Sequence, residues 1–222
     1  MRKPLAFTAL ALTLAAPLLT GCGGMIGPEH TAEDSLRPTG PVHTIDIASG
    51  SGTVKVVPGD SVDVRRTVRY NGDGPGGLKE PAEGVLTLGN CSRCSTDYTV
   101  TAPAGTALDV RAGSGDVSIT GFTGVVTVQT DSGDIDADGL RGNTSLKAGS
   151  GSVEATFGAL VRTIAAEAGS GDVRLVLPDG KYRVDADTGS GGRDVRVRQD
   201  DAADHSVRVR TGSGDIVVTA GP

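Results

Sequence analysis

The sequence predicts an all-β chain: a right-handed β-solenoid or β-roll-like stack of two-strand repeats, preceded by an N-terminal β-meander. Three observations carry that prediction. One small polar phrase recurs, as AGSGDV at Ala112–Val117 and Ala168–Val173, TDSGDI at Thr130–Ile135, AGSGSV at Ala148–Val153 and TGSGDI at Thr211–Ile216. Its central serines, Ser114, Ser132, Ser150, Ser170, Ser190 and Ser213, are spaced 18, 18, 20, 20 and 23 residues apart, and a period near 20 marks a structural unit. On both sides of the phrase, apolar or small residues alternate with polar ones: Leu108, Val110 and Ala112 before it, Val117 and Ile119 after it. A period of two is the signature of half-buried strands. An antiparallel β-sandwich would also satisfy alternation and turns. Near-identical phrases at near-fixed spacing favour coils stacked in register.

The chain begins with Arg2 and Lys3, then an apolar stretch from Leu5 to Leu18, which has the length of a secretory signal and is short for a membrane span. It ends in LTGC, Leu19–Cys22. The leading segment therefore reads as a signal peptide. GGMIGPEHTAEDSLRPTGP, Gly23–Pro41, carries Gly, Pro and charge without a period and reads as a tether. The β-repeat domain is expected over residues 42–220.

Ile45 and Ile47, SGSG and then Val54 and Val56 form a first strand–turn–strand unit. The meander follows: a strand in SVDVRRTVRY, Ser61–Tyr70, a glycine-rich loop, then GVLTLGNC and TDYTVTAP. Such a meander suits the end of a solenoid, where strand edges need cover. From Leu108 onward the units are serial. Their second turns are legible as GFTG, Gly121–Gly124, GLRG, Gly139–Gly142, and PDGK, Pro178–Lys181. Only Ala159–Ala168 shows weak helical spacing.

Aromatic content of 3% and the lack of Trp imply a thin core of Val, Ile, Leu, Ala and Thr. The formal net charge of −6 becomes −8 once Arg2 and Lys3 are removed, which argues against nucleic acid as a partner.

LTGC resembles the bacterial lipobox. That resemblance implies a lipoprotein signal peptide over residues 1–21 and a lipidated Cys with tether over residues 22–41: Cys22 becomes the first mature residue, bearing lipid on its thiol and amino group, on the extracytoplasmic face of a cell membrane, where several acyl chains give durable attachment. Lipobox, tether, early SGSG unit, meander, TAPAGTALDV (Thr101–Val110) and serial GSGDV units together resemble the bacterial adhesin-type β-repeat family, found in surface lipoproteins of actinobacteria and in envelope-stress operons. The resemblance covers about Pro41 to Ala220. It implies a β-repeat fold and a largely uncharacterised function, and it brings no catalytic residues.

The recurring phrase has two readings. As a corner, it uses Gly for the backbone and Asp to hold nearby N–H groups. As a calcium site, it would align Asp116, Asp134, Asp172 and Asp215 along one edge, where stacked carboxylates repel and a cation would relieve them. Ser152 and Thr53 interrupt that column, and GFTG and GLRG lack a second carboxylate, so the corner is preferred and no cofactor is expected. Cys91 and Cys94 in CSRC read as a disulfide in an oxidising compartment, ahead of a free redox pair or a metal site. Acids that alternate with bases on outer strand faces, as in Asp109/Arg111 and Arg183/Asp185, read as cross-strand charge pairs, and no GxSxG elbow is present; the chain is read as no enzyme. Arg196, Arg198, Arg208 and Arg210 sit two apart on their strands and form a candidate stripe for an anionic polymer, balanced against a solvated face neutralised by nearby Asp.

Function therefore reads as a non-catalytic, lipid-anchored surface module that binds an envelope polymer or a partner protein. The alternatives are a calcium-stabilised structural roll and an envelope-stress accessory that contacts a membrane sensor.

Overall fold

Strict alternation of buried and exposed residues recurs along almost every strand, and it is what sorts the chain into two sheets with one core between them. The structure is a computed structural model describing residues 29–91 and 93–221; the segment read as a signal peptide and Cys22 lie outside the described residues. All regular elements there are strands: β1 (His30–Leu36), β2 (Thr44–Ser49), β3 (Val54–Pro58), β4 (Asp63–Tyr70), β5 (Val85–Leu88), β6 (Cys94–Ala102), β7 (Ala107–Ala112), β8 (Val117–Thr120), β9 (Val126–Thr130) and β10 (Ile135–Leu140). They continue as β11 (Thr144–Ala148), β12 (Val153–Phe157), β13 (Thr163–Ala168), β14 (Val173–Leu177), β15 (Lys181–Ser190), β16 (Arg193–Arg196), β17 (Arg198–Gln199), β18 (Ser206–Ser213) and β19 (Ile216–Ala220).

The solenoid reading holds. Sheet A has ten strands in the order β1-β4-β6-β3-β8-β10-β12-β14-β19-β16, and sheet B has nine in the order β17-β15-β18-β13-β11-β9-β7-β2-β5. Each coil contributes one strand to each sheet, and coils pair in parallel and in register, as in Val126↔Thr144↔Ile164 and Ile135↔Val153↔Val173. Parallel pairing between successive coils is what an antiparallel sandwich lacks. The antiparallel pairs are β1–β4 and β4–β6, the N-terminal meander. Its members β5 and β6 also close a coil of their own, stacked outside β2/β3.

Three features depart from the sequence reading. The segment read as a tether contains β1, because Asp34 finds Arg66 across the β1–β4 pair, with bonds of 2.8 and 2.6 Å. The weak helical spacing at Ala159–Ala168 yields to β13, whose Ile164, Ala166 and Ala168 are buried in alternation. Finally, coils do not stack in chain order at the C-terminal pole. β18/β19 is inserted between β13/β14 and β15/β16. Burial explains this: β18/β19 supplies Val207, Val209, Ile216 and Val218, all fully buried, whereas Val184, Ala186 and Val195 of β15/β16 remain half-buried at the end. The more apolar coil takes the place with neighbours on both sides.

Candidate functional site: the GSGD edge and the outer strand faces

The recurring phrase forms one long edge of the solenoid. Its glycines are dictated by the neighbouring coil. A Cβ on Gly133 would stand 2.1 Å from the carbonyl oxygen of Gly115, and one on Gly115 would stand 1.9 Å from that of Gly52. Side chains cannot occupy that space, so coils approach backbone to backbone. The residue before the phrase adds a second device where it carries a hydroxyl: Thr130 Oγ1 donates to Gly133 C=O (2.7 Å), and Thr211 Oγ1 donates to Gly171 C=O (2.8 Å).

The aspartates complete the edge. Asp134 N–H donates to Asp116 Oδ1 (3.0 Å), Ser152 N–H to Asp134 Oδ1 (2.8 Å), Asp215 N–H to Asp172 Oδ1 (2.8 Å) and Gly192 N–H to Asp215 Oδ1 (2.7 Å). At the other end, Thr53 N–H donates to Asp97 Oδ1 (2.9 Å). Each carboxylate thus holds the turn of the next coil, always in one direction, and the ladder skips a rung after Thr53 and after Ser152. Asp215 follows Asp172 directly although 43 residues separate them. The four calcium candidates do share one edge. Each commits an oxygen to a backbone N–H, and among the described residues no group of three or more His, Cys, Asp or Glu comes together as a metal cluster.

Sequence reading missed Asp97, because its coil carries GNCSRCST in place of GSGD. The signal was present in the alternation of Tyr98, Val100 and Ala102 behind it. Cys91 and Cys94 are joined by a disulfide across this longer turn, with Cα atoms 5.8 Å apart.

The arginine stripe is not one surface. Arg196 lies on β16 in sheet A; Arg198 lies on β17 in sheet B, and β15 separates it from Arg208 and Arg210 on β18. Each has a carboxylate: Arg196 with Asp194, Arg198 with Asp179 (3.0 Å), Arg208 and Arg210 with Asp185 (3.4 and 3.5 Å). The chain crosses from sheet A to sheet B at Val197, and that crossing splits the pattern. Arg111 bonds Asp109 (2.7 Å) and Asp46 (3.2 Å), whereas Asp185 pairs across strands rather than with Arg183. These exposed pairs are worth little individually.

A buried polar group sits at the N-terminal pole. Arg66 is 8% exposed and bound by both Asp34 oxygens and by Gly76 C=O (2.6 Å). Hydrogen bonding to Asp34 raises its pKa above the ordinary guanidinium value, against the opposing effect of burial. Tyr98, beside it, is pushed up by burial, with Arg66 pulling the other way.

The model of the Toastrack DUF4097 family matches residues 37–219, which take in the whole edge and strands of both sheets but not β1. The chain belongs to that family. No curated protein matches it. Among solved structures, it is similar to a crystal structure of a "putative cell adhesion protein" from Clostridium sporogenes, at 12% identity and a TM-score of 0.41, over 87% of this chain and 100% of that one. The Toastrack fold of this chain is thus a β-solenoid whose repeated phrase is the seam between coils.

Proposed function

We propose that this Toastrack chain is a lipid-anchored, extracytoplasmic surface module that binds an envelope polymer or a partner protein and performs no catalysis. The observation that carries the reading is the position of the chain's entry. β1 is the outermost strand of sheet A, at one pole of the stack. An anchor at Cys22 would therefore hold that pole and leave the rest of the solenoid projecting. Ten strands at a spacing of about 4.8 Å make a rod roughly 45 Å long, with two outer faces free for contact. The resemblance of LTGC to a lipobox supports the anchor.

The test is metabolic labelling with an alkyne-bearing fatty acid in a bacterial host. Label and membrane association should both require Cys22 and vanish in Cys22→Ser. A Cys22→Ser protein that still carries lipid and stays with the membrane fraction would remove the anchor from the reading. Retention on isolated cell envelopes, compared with retention on protein-stripped envelopes, separates a protein partner from a polymer.

A further inference from the structure

The two sheets end differently at the N-terminal pole. Sheet A runs two strands, β4 and β1, beyond the point where sheet B stops at β5. The inner face of β4 is covered instead by the loop of residues 71–84, where Leu78 packs on the core and Gly76 accepts from Arg66. Between this loop, β4 and β5 a groove of about 480 Å³ remains, with Arg66, Leu78, Lys79, Val85, Thr87 and Asn90 among its walls. That is within the size range of ligand clefts.

One wall of the groove is a strand edge. In a parallel ladder alternate residues face the neighbour. Thr44 N–H donates to Gly84 C=O (3.2 Å), and this phase turns Leu86 and Leu88 toward β2 and Val85, Thr87 and Gly89 away from it. Ala82 satisfies both backbone groups of Val85, and Gly89 C=O accepts the Tyr98 hydroxyl. Thr87 N–H, Thr87 C=O and Gly89 N–H have no partner among the described residues. Val85, at the same edge, is 39% exposed for a large apolar side chain.

Bare donors and acceptors at strand spacing, beside an apolar slot, match another peptide backbone. Charge selects locally. Arg66 is held by Asp34, while Lys79 and its chain neighbour Glu80 both line the groove with no ion pair among the described residues, so an acidic side chain is favoured only opposite Lys79. We infer that this groove takes an extended peptide segment of a partner protein, added to sheet B as a further strand beside β5, with a Glu or Asp against Lys79. The inference goes beyond the anchored-module reading and requires neither Cys22 nor a polymer.

The probe is a fluorescent acetyl-Thr-Val-Glu-Val-Thr-amide titrated against the full chain, read by anisotropy. Saturable binding is expected, with Thr87→Pro weakening it about tenfold or more. The Thr87 N–H is not used by the fold and edge strands tolerate proline, so the melting temperature should hold. If that variant melts early, methylating alternate amides of the peptide reads the same hydrogen bonds from the ligand side. Lys79→Glu should weaken the Glu peptide and favour its Lys counterpart. Absence of saturable binding up to about 1 mM, or binding that neither the edge changes nor Lys79→Glu alters, would overturn the inference.

Discussion

Replacing Gly133 with alanine tests the seam most sharply. The added Cβ would lie 2.1 Å from Gly115 O and 2.5 Å from Gly115 C, both backbone atoms with no rotamer to escape into. Relief requires the two coils to part by about 1 Å or more at this corner to approach ordinary van der Waals separation of ~3.5 Å. The corner bonds begin near their optimum: Ser132 N–H to Gly113 C=O at 2.9 Å, Asp131 N–H to Gly113 C=O at 3.0 Å and Asp134 N–H to Asp116 Oδ1 at 3.0 Å. Lengthened by that amount they cease to be hydrogen bonds. At about 1 kcal/mol net for each, the substitution should cost about 3 kcal/mol, a large share of the 5–15 kcal/mol typical of a folded domain. Gly77→Ala is the matched control, because a Cβ there meets nothing within 4 Å and the backbone needs no positive φ. Urea unfolding followed by circular dichroism at the β-sheet band reads both. A loss below about 1 kcal/mol for Gly133→Ala, or equal losses for the two variants, would refute the claim that coil stacking dictates these glycines.

Four further outcomes follow from the same geometry. Ser152→Asp fills the missing rung next to the Asp172 N–H and should raise stability by about 1 kcal/mol, while Asp134→Ala should lower it similarly in the same unfolding assay. Millimolar calcium and chelator should give coincident melts, since each ladder carboxylate already serves a backbone N–H; a calcium-dependent rise lost in Asp116→Asn would reverse that assignment. The Tyr98 pKa is raised in the fold by burial, so its contribution is intact below the ordinary tyrosine value of about 10 and fades as pH climbs through the raised folded value. Melting temperature should therefore fall in that alkaline window, less steeply in Tyr98→Phe. Cys91→Ser opens a short disulfide-closed ring and should cost up to about 2 kcal/mol by the chain-entropy argument, read as a difference in urea midpoint.

Much of this fold is local and therefore legible. Alternation assigns each inward residue, as with Val126, Val128 and Thr130 of β9, because side chains of a strand must point alternately to two faces. The GSGD spacing gives the coil length, because a coil must return to the same corner before the next can stack on it. The resemblance of LTGC, Leu19–Cys22, to a lipobox also lies in a linear motif, which is read without a fold. What the residues alone could not settle is adjacency. Asp97 joins the ladder without a GSG phrase before it, since only the pairing of β6 with β3 brings its carboxylate to Thr53. Arg196 and Arg198 share the spacing of Arg208 and Arg210 but are parted in space, because the chain changes sheets at Val197. β1 gains its place from Arg66, whose partner Asp34 lies 32 residues away. The last coil enters the stack before its predecessor because burial of Val207, Val209, Ile216 and Val218 on both sides outweighs chain order. Strand identity and turn chemistry are set by short-range sterics that the sequence states directly. Which coil meets which, and which edge of β5 stays bare, is set by competition among all the apolar faces for a single core, and only the tertiary structure decides it.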